Sequence, residues 1–188
     1  AECAAEFSVG WAQLPGLKNE DTMTVARNKT LQYVGLFDGH RGRAVASWLA
    51  DELHGRLTSA LAHLPPHARA TRGAEVLSSA FEGANRELRQ AVDSGGSTAL
   101  VLCAVDGADG PEGGRGLWVA NCGDTRAVLF GREERPAIRL SLDHTPDAPG
   151  EKERVESAGG LIEFNCLDGV LEVCRGFGNH DLDGMTAA

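Results

Sequence analysis

Leu31-Gln32-Tyr33-Val34-Gly35-Leu36-Phe37-Asp38-Gly39-His40 is an apolar run that ends in an acid, a glycine and a histidine. The apolar part reads as a β-strand, so its three last residues arrive together at one end of a sheet. The Asp38 carboxylate suits a hard cation, and Gly39 lets a backbone carbonyl approach the same ion. His40 carries the side chain whose unperturbed pKa lies near neutrality, which suits proton transfer. Asp-Gly is also a common turn dipeptide. The stretch therefore takes its meaning from what surrounds it.

Outward from this strand the pattern is mixed. Phe7 to Trp11 and Thr22 to Ala26 read as strands on its N-terminal side. A helix follows from about Arg43, with Val45, Leu49, Leu53, Leu57 and Leu61 at four-residue steps, and Pro65-Pro66 stops it. A second helix, about Arg72 to Val92, places Leu77, Phe81, Ala84, Leu88 and Ala91 on one face, and Ser94-Gly95-Gly96 breaks it. Strands return at Thr98 to Val105, Gly116 to Asn121, Arg126 to Phe130 and Ile138 to Ser141. A Gly-, Asp- and Pro-rich loop joins the first two, over Asp106 to Arg115. A short helix at Glu151 to Ser157 and a hairpin over Leu161 to Val173 complete the chain. Clustered strands with two long helices between them imply an α+β fold, mainly antiparallel sheet with helices packed outside.

The 188 residues fit a single domain, 1–188, with a substantial core. A hydrophobic share of 42% and a charged share of 24% are those of an ordinary globular protein. The net charge of −9 argues against a nucleic-acid footprint, which is basic. Excess acid suits a cation site, although most of it reads as solvated surface. Cys3, Cys103, Cys122, Cys166 and Cys174 are odd in number and show no Cys-x-x-Cys spacing. They imply a reducing compartment, cytoplasmic or nuclear, with neither a disulfide framework nor a zinc site. No apolar stretch is long enough to span a bilayer, and no signal peptide opens the chain. The first residue is Ala rather than Met, so a longer parent polypeptide is expected.

Six further segments accompany the opening motif. They are Glu20-Asp21, Gly96-Ser97-Thr98-Ala99, the run Leu117 to Cys122 leading into Gly123-Asp124-Thr125-Arg126, Leu142-Asp143-His144-Thr145-Pro146, Glu151 to Gly160, and Cys174-Arg175-Gly176-Phe177-Gly178. In this order they resemble the metal-dependent serine/threonine protein phosphatases of type 2C, over about Phe7 to His180. The resemblance implies a layered sandwich of two mainly antiparallel sheets flanked by helices, with metals in a cleft at one end. It implies hydrolysis of phosphoserine and phosphothreonine on protein substrates by a water bridging two Mg²⁺ or Mn²⁺ ions, with a weaker third ion. In the family, the acid matching Asp38 bridges both metals and the one matching Glu20 binds one of them, while this chain also offers the Gly39 carbonyl. His40 matches the proposed general acid, and Asp124 an acid of the weaker site. Thr98 and Thr125 lie in motifs that shape the core beside the cleft.

Plainer readings stand beside these. Glu20 and Asp21 alone would be loop residues, and Asp124 in Gly-Asp-Thr equally fits a hairpin turn. Asp143-His144 is better explained by a strand exit before Pro146 than by zinc. Glu151-Lys152-Glu153-Arg154 reads as the solvated face of a helix, and His54, His63 and His67 as surface histidines.

Three departures from the family pattern bear on activity. The phosphate-binding arginine expected four residues before the metal-binding glutamate is Gly16, leaving Lys18 and Arg41 as candidate phosphate-binding cations. Lys18 lacks the bidentate fork of arginine. Arg41 replaces the first glycine of Asp-Gly-His-Gly-Gly, and only Gly42 remains. The segment resembling Arg-Ala-Leu-Gly-Asp reads Arg175-Gly176-Phe177-Gly178-Asn179, and the family's two later metal-binding aspartates do not follow it. Asp183-Gly184 comes too soon to be the first of them. The chain is thus expected to be truncated before the last metal motifs and to have little activity alone. The alternative is a non-catalytic module on the same fold, serving attached domains or a larger assembly.

Overall fold

Two antiparallel strands, β1 (Thr22–Arg27) and β2 (Leu31–Phe37), form one side of the main sheet, with Thr22 opposite Phe37 and Arg27 opposite Gln32. This computed structural model describes residues 9, 10, 12, 18–28, 31–106, 115–131 and 136–187. Burial along β2 alternates with the strand period of two: Leu31, Tyr33 and Phe37 enter the core, while Gln32, Val34 and Leu36 face the other way. The chain then passes through the two-residue β3 (Gly39–His40) into α1 (Ala44–Ala62) and α2 (Pro66–Ala91). After them come β4 (Gly96–Ser97), β5 (Ala99–Asp106) and β6 (Arg115–Cys122). The main sheet has the order β1-β2-β5-β6, antiparallel throughout, with Leu36 opposite Leu100 and Ala99 opposite Cys122.

All five α1 residues expected on one face are buried, and they pack with the inward residues of β2 and with Val101 and Cys103 of β5. Thr22 and Thr24 tie β1 to the same helix, donating Oγ1–H bonds to the Ala46 carbonyl at 2.8 Å and the Ala50 carbonyl at 2.6 Å. The second helix begins at Pro66 rather than near Arg72. Proline at the first helical position has no N–H to leave unpaired, and its φ is already helical. Pro65-Pro66 therefore ends α1 and starts α2 in one step. Helix and sheet meet closely at Gly73, where a Cβ would stand 2.4 Å from the Trp118 ring.

Beyond the sheet the elements are short: β7 (Val128–Leu129), β8 (Ile138–Arg139), α3 (Glu151–Ser157), β9 (Ile162–Glu163), β10 (Cys166–Leu167) and β11 (Phe177–Gly178). The strands expected over Arg126 to Phe130 and Ile138 to Ser141 thus contract to two residues each. One cause is visible at Ala127, whose N–H donates to the Ser141 hydroxyl at 2.9 Å instead of to a ladder carbonyl. The hairpin over Leu161 to Val173 is likewise a two-residue pairing. The strand expected over Phe7 to Trp11, Gly16 and Cys3 lie outside the described residues, except that Val9 and Gly10 are described and exposed.

Helix α3 does not turn all of its charged residues to solvent. Glu151 is 5% exposed rather than solvated, and Val155 on the same helix is fully buried. The Glu151 carboxylate accepts hydrogen bonds from Arg154 Nη2 at 3.0 Å and Arg175 Nε at 3.0 Å. Arg154 also donates to the carbonyls of Cys174 and Gly184, each at 2.8 Å. This cluster fastens α3 to the segment that leads into β11, above a small second core of Val155, Leu167, Leu171 and Cys174.

Candidate active site

The site is built where β2 ends, and backbone pairing positions it. Strand β4 is the middle of a three-stranded sheet of order β11-β4-β3. It sets Gly39 opposite Ser97 and His40 opposite Gly96 on one side, and Phe177 and Gly178 opposite the same two residues on the other. The backbone of Asp38 is clamped by the next residues of that strand: Thr98 N–H donates to the Asp38 carbonyl at 2.9 Å, and Asp38 N–H donates to Thr98 Oγ1 at 3.3 Å. Thr98 Oγ1 is also 2.7 Å from Thr125 Oγ1. Gly123, at φ +106°, lies so close that a Cβ would meet Thr98 Cγ2 at 2.6 Å. In this way the Gly123-Asp124-Thr125 turn is docked against Thr98, and Asp124 is brought toward Asp38.

Glu20 and Asp21 approach from the other side because they directly precede β1, whose first residue pairs with Phe37. The contact is tight: a Cβ on Gly39 would stand 2.7 Å from the Glu20 carbonyl oxygen. Glu20 Oε1 accepts a hydrogen bond from Gly42 N–H at 2.8 Å. The Asp38 carboxyl is pushed up to about 6, first by burial, then by the charge of Asp21 and a hydrogen bond with it, and then by the charges of Asp124 and Glu20. Four acids thus gather on one strand end.

His40 is half-buried. Its imidazole pKa is lowered, first by burial and then by the charge of Arg41. Its Nε2 lies 2.7 Å from Asn179 Nδ2. Arg41, at φ +58° where a glycine would be unstrained, turns its guanidinium to Asp181 with Nη1 at 2.9 Å from Oδ2. Lys18 is exposed. The structure therefore brings Glu20, Asp38, Gly39, His40 and Asp124 together, and leaves Arg41 paired at the rim. A groove of about 650 Å³ runs from Asp21 past Met23 and Leu36 to Arg43, Ser47 and Asp51.

Two residues carry more here than their motifs suggest. Asp21 is not a bystander in a loop but the acid in closest exchange with Asp38. The alternation of β1 holds the signal, since Asp21 is the last residue before a strand antiparallel to β2. Asn179 stands in a recognised motif, but nothing there points to His40, 139 residues away. Asp143 and His144 are structural, as a strand exit suggests: Asp143 pairs with Arg126 and Arg139, and His144 Nδ1 accepts from Gly123 N–H at 3.1 Å.

An all-oxygen set of carboxylates is the donor chemistry of Mg²⁺ or Mn²⁺. The elevated Asp38 carboxyl fits it too, since a cation among these acids would relieve the repulsion that raises it. Among the described residues, no three acidic, histidine or cysteine side chains form a closed metal-binding group. An ion held here would keep much of its shell as water.

The comparisons with known proteins identify the family. The sequence profile of the protein phosphatase 2C family matches residues 11–187. A probable protein phosphatase 2C of rice (Oryza sativa subsp. japonica) is 35% identical over 161 residues, covering 86% of this chain and 40% of its own length. Protein phosphatase 2C homolog 1 of Saccharomyces cerevisiae is 32% identical over 181 residues, covering 88% of this chain and 62% of its own. The chain thus spans roughly half the length of these relatives. The crystal structure of a phosphatase from Toxoplasma gondii superposes with a TM-score of 0.69 at 21% identity, over 89% of this chain and 65% of that one. That likeness establishes the fold, and the sequence match establishes the lineage. The chain belongs to the protein phosphatase 2C family.

Proposed function

We propose that this cleft removes phosphate from phosphoserine and phosphothreonine on proteins, with the help of Mg²⁺ or Mn²⁺. The observation that carries the reading is the convergence of Glu20, Asp21, Asp38 and Asp124 beside His40, at a strand end where Asp38 is held by backbone hydrogen bonds. A fold gains nothing in stability by pressing four acids together, and such clustering marks functional sites. Asp38, Glu20 and the Gly39 carbonyl would hold the principal ions and Asp124 a weaker one. When bound, such ions neutralise phosphoryl oxygens and lower the pKa of water.

The chain's own residues supply the remainder. His40, at the same strand end, would give a proton to the departing alkoxide. Arg41 is one candidate cation for the substrate phosphate. Its pair with Asp181 is exposed, and such pairs contribute only about 0–1 kcal/mol, so a phosphate dianion competes for the guanidinium. Lys18 is the second candidate. The groove beside Asp21 would seat the peptide flanking the phosphorylated residue. Among the described residues four cysteines are free, three of them buried, which suits a reducing compartment.

The test is turnover of a phosphothreonine peptide by the full polypeptide in Mn²⁺, together with calorimetric Mn²⁺ binding. Asp38→Asn should abolish both. Binding or turnover that survives unchanged in this variant rejects the assignment.

A further inference from the structure

Gly96 explains how two distant side chains meet. Its backbone separates β3 from β11, and a Cβ there would fall 2.0 Å from Asn179 Nδ2 and 2.4 Å from His40 Nε2. Because the middle strand has no side chain at this point, the imidazole from one neighbour and the amide from the other close over it. The backbone that carries this amide is held in turn: Asn179 backbone N–H donates to the Gly95 carbonyl at 2.8 Å, and Leu182 N–H donates to the Asn179 backbone carbonyl at 3.0 Å. Asn179 is 2% exposed and sits in the left-handed region at φ +46°. Such a placement costs backbone strain, which is held only where the surroundings fix it. Its Oδ1 is buried without a hydrogen-bond partner.

We propose that Asn179 is the positioning residue of His40: its amide N–H donates to Nε2, fixing the ring and leaving Nδ1–H as the nitrogen that serves the cleft. The assignment rests on His40 as proton donor and adds what holds it. The choice of amide over carboxylate has a chemical consequence. A carboxylate only accepts, so an aspartate here would demand a hydrogen on Nε2. An amide donates its N–H to the bare Nε2 of the neutral ring. The related motif ends in aspartate, so this chain differs from its family at this residue.

The experiment is long-range ¹H–¹⁵N NMR on the metal-free full chain labelled at histidine. In the parent, neutral His40 should be hydrogenated at Nδ1 and bare at Nε2. Asn179→Asp should move the hydrogen to Nε2, and Asn179→Ala should release the ring into a mixture. In the Mn²⁺-loaded protein, both variants should lower kcat on a phosphothreonine peptide by roughly 10- to 100-fold with KM little changed. A merely structural asparagine would not separate Asp from Ala in the tautomer spectrum. A parent His40 that carries its hydrogen on Nε2 overturns the proposal without recourse to any variant. So does one tautomer common to all three proteins. A protein with the expected tautomers but no turnover upholds the role of Asn179 and rejects the phosphatase reading instead.

Discussion

Replacing Glu151 by glutamine should destabilise the protein by about 3 kcal/mol at pH 7, and the loss should shrink as the pH falls. Burial alone would raise the Glu151 carboxyl, but hydrogen bonds from Arg175 and Arg154 and their charges overcome it and hold the pKa at about 2, against an ordinary value of 4.5. A difference of about 2.5 units corresponds to about 3 kcal/mol. The folded pKa lies below the unfolded one, so this contribution is fully present above about 4.5 and is lost as the pH drops toward 2. At pH 3 the same linkage leaves about 1.4 kcal/mol. Glutamine keeps the shape and removes the charge, and so stands in for the protonated acid. The two arginine side chains are 26% and 25% exposed, and water reaching them brings the loss toward the lower end of the 3–5 kcal/mol seen when a buried pair is broken. Urea unfolding of both proteins at pH 7, 5, 4 and 3 gives the comparison. A difference below about 0.5 kcal/mol at pH 7, or one that does not change between pH 5 and pH 3, refutes the reasoning.

Three other outcomes are expected. Asp38→Asn should raise the melting temperature of the metal-free protein above pH 6, because the charge it removes is one the fold disfavours; an unchanged or lower value would show that the four acids do not repel as placed. His40→Ala should slow hydrolysis of a phosphothreonine peptide by ~10²- to 10⁴-fold and of an activated aryl phosphate far less, and equal losses would remove His40 from the proton-donor role. Gly73→Ala should cost roughly 1–3 kcal/mol despite alanine's better helix propensity, since its Cβ has no room beneath Trp118; a stabilised variant in urea unfolding would contradict this.

What is legible in the sequence follows from period and length. The α1 face shows itself because five apolar residues recur at four-residue steps, and β2 and β5 because their apolar runs are long enough to display alternation or full burial. The α2 start is misread at Arg72 because proline breaks a helix in its interior but suits its first turn, and pattern alone does not say which end of a helix Pro66 occupies. Strands of two residues, such as β3, β4 and β11, have no period to read. Glu151 is misjudged for a different reason. Its neighbours Lys152 and Glu153 are exposed, and its burial is compensated by pairing with Arg154 and, across the fold, Arg175. The acids at Glu20, Asp38 and Asp124 were visible as motifs, yet their mutual approach depends on Thr98 and Gly123, which look like ordinary core and turn residues.

The hardest part to read is also the part that joins structure to chemistry. Strand β4 offers only Gly96 and Ser97, but it carries β3, which follows Asp38 and ends in His40, on one edge and β11, which leads into Asn179, on the other. A side chain at Gly96 would part the imidazole from the amide, and Gly178, at φ +75° and within 2.5 Å of the Gly95 carbonyl if given a Cβ, admits no replacement either. Loop-closure entropy makes such a pairing costly, since its partners lie far apart in sequence. The Glu151–Arg175 cluster offsets that cost by fixing the backbone just ahead of β11. Stability in α3 and ring orientation at His40 are thereby linked through four residues of chain, Arg175 to Gly178. The Glu151→Gln variant should accordingly broaden the His40 tautomer distribution as well as lower stability. A destabilised protein whose His40 remains a single tautomer would show that β4 alone holds the site together.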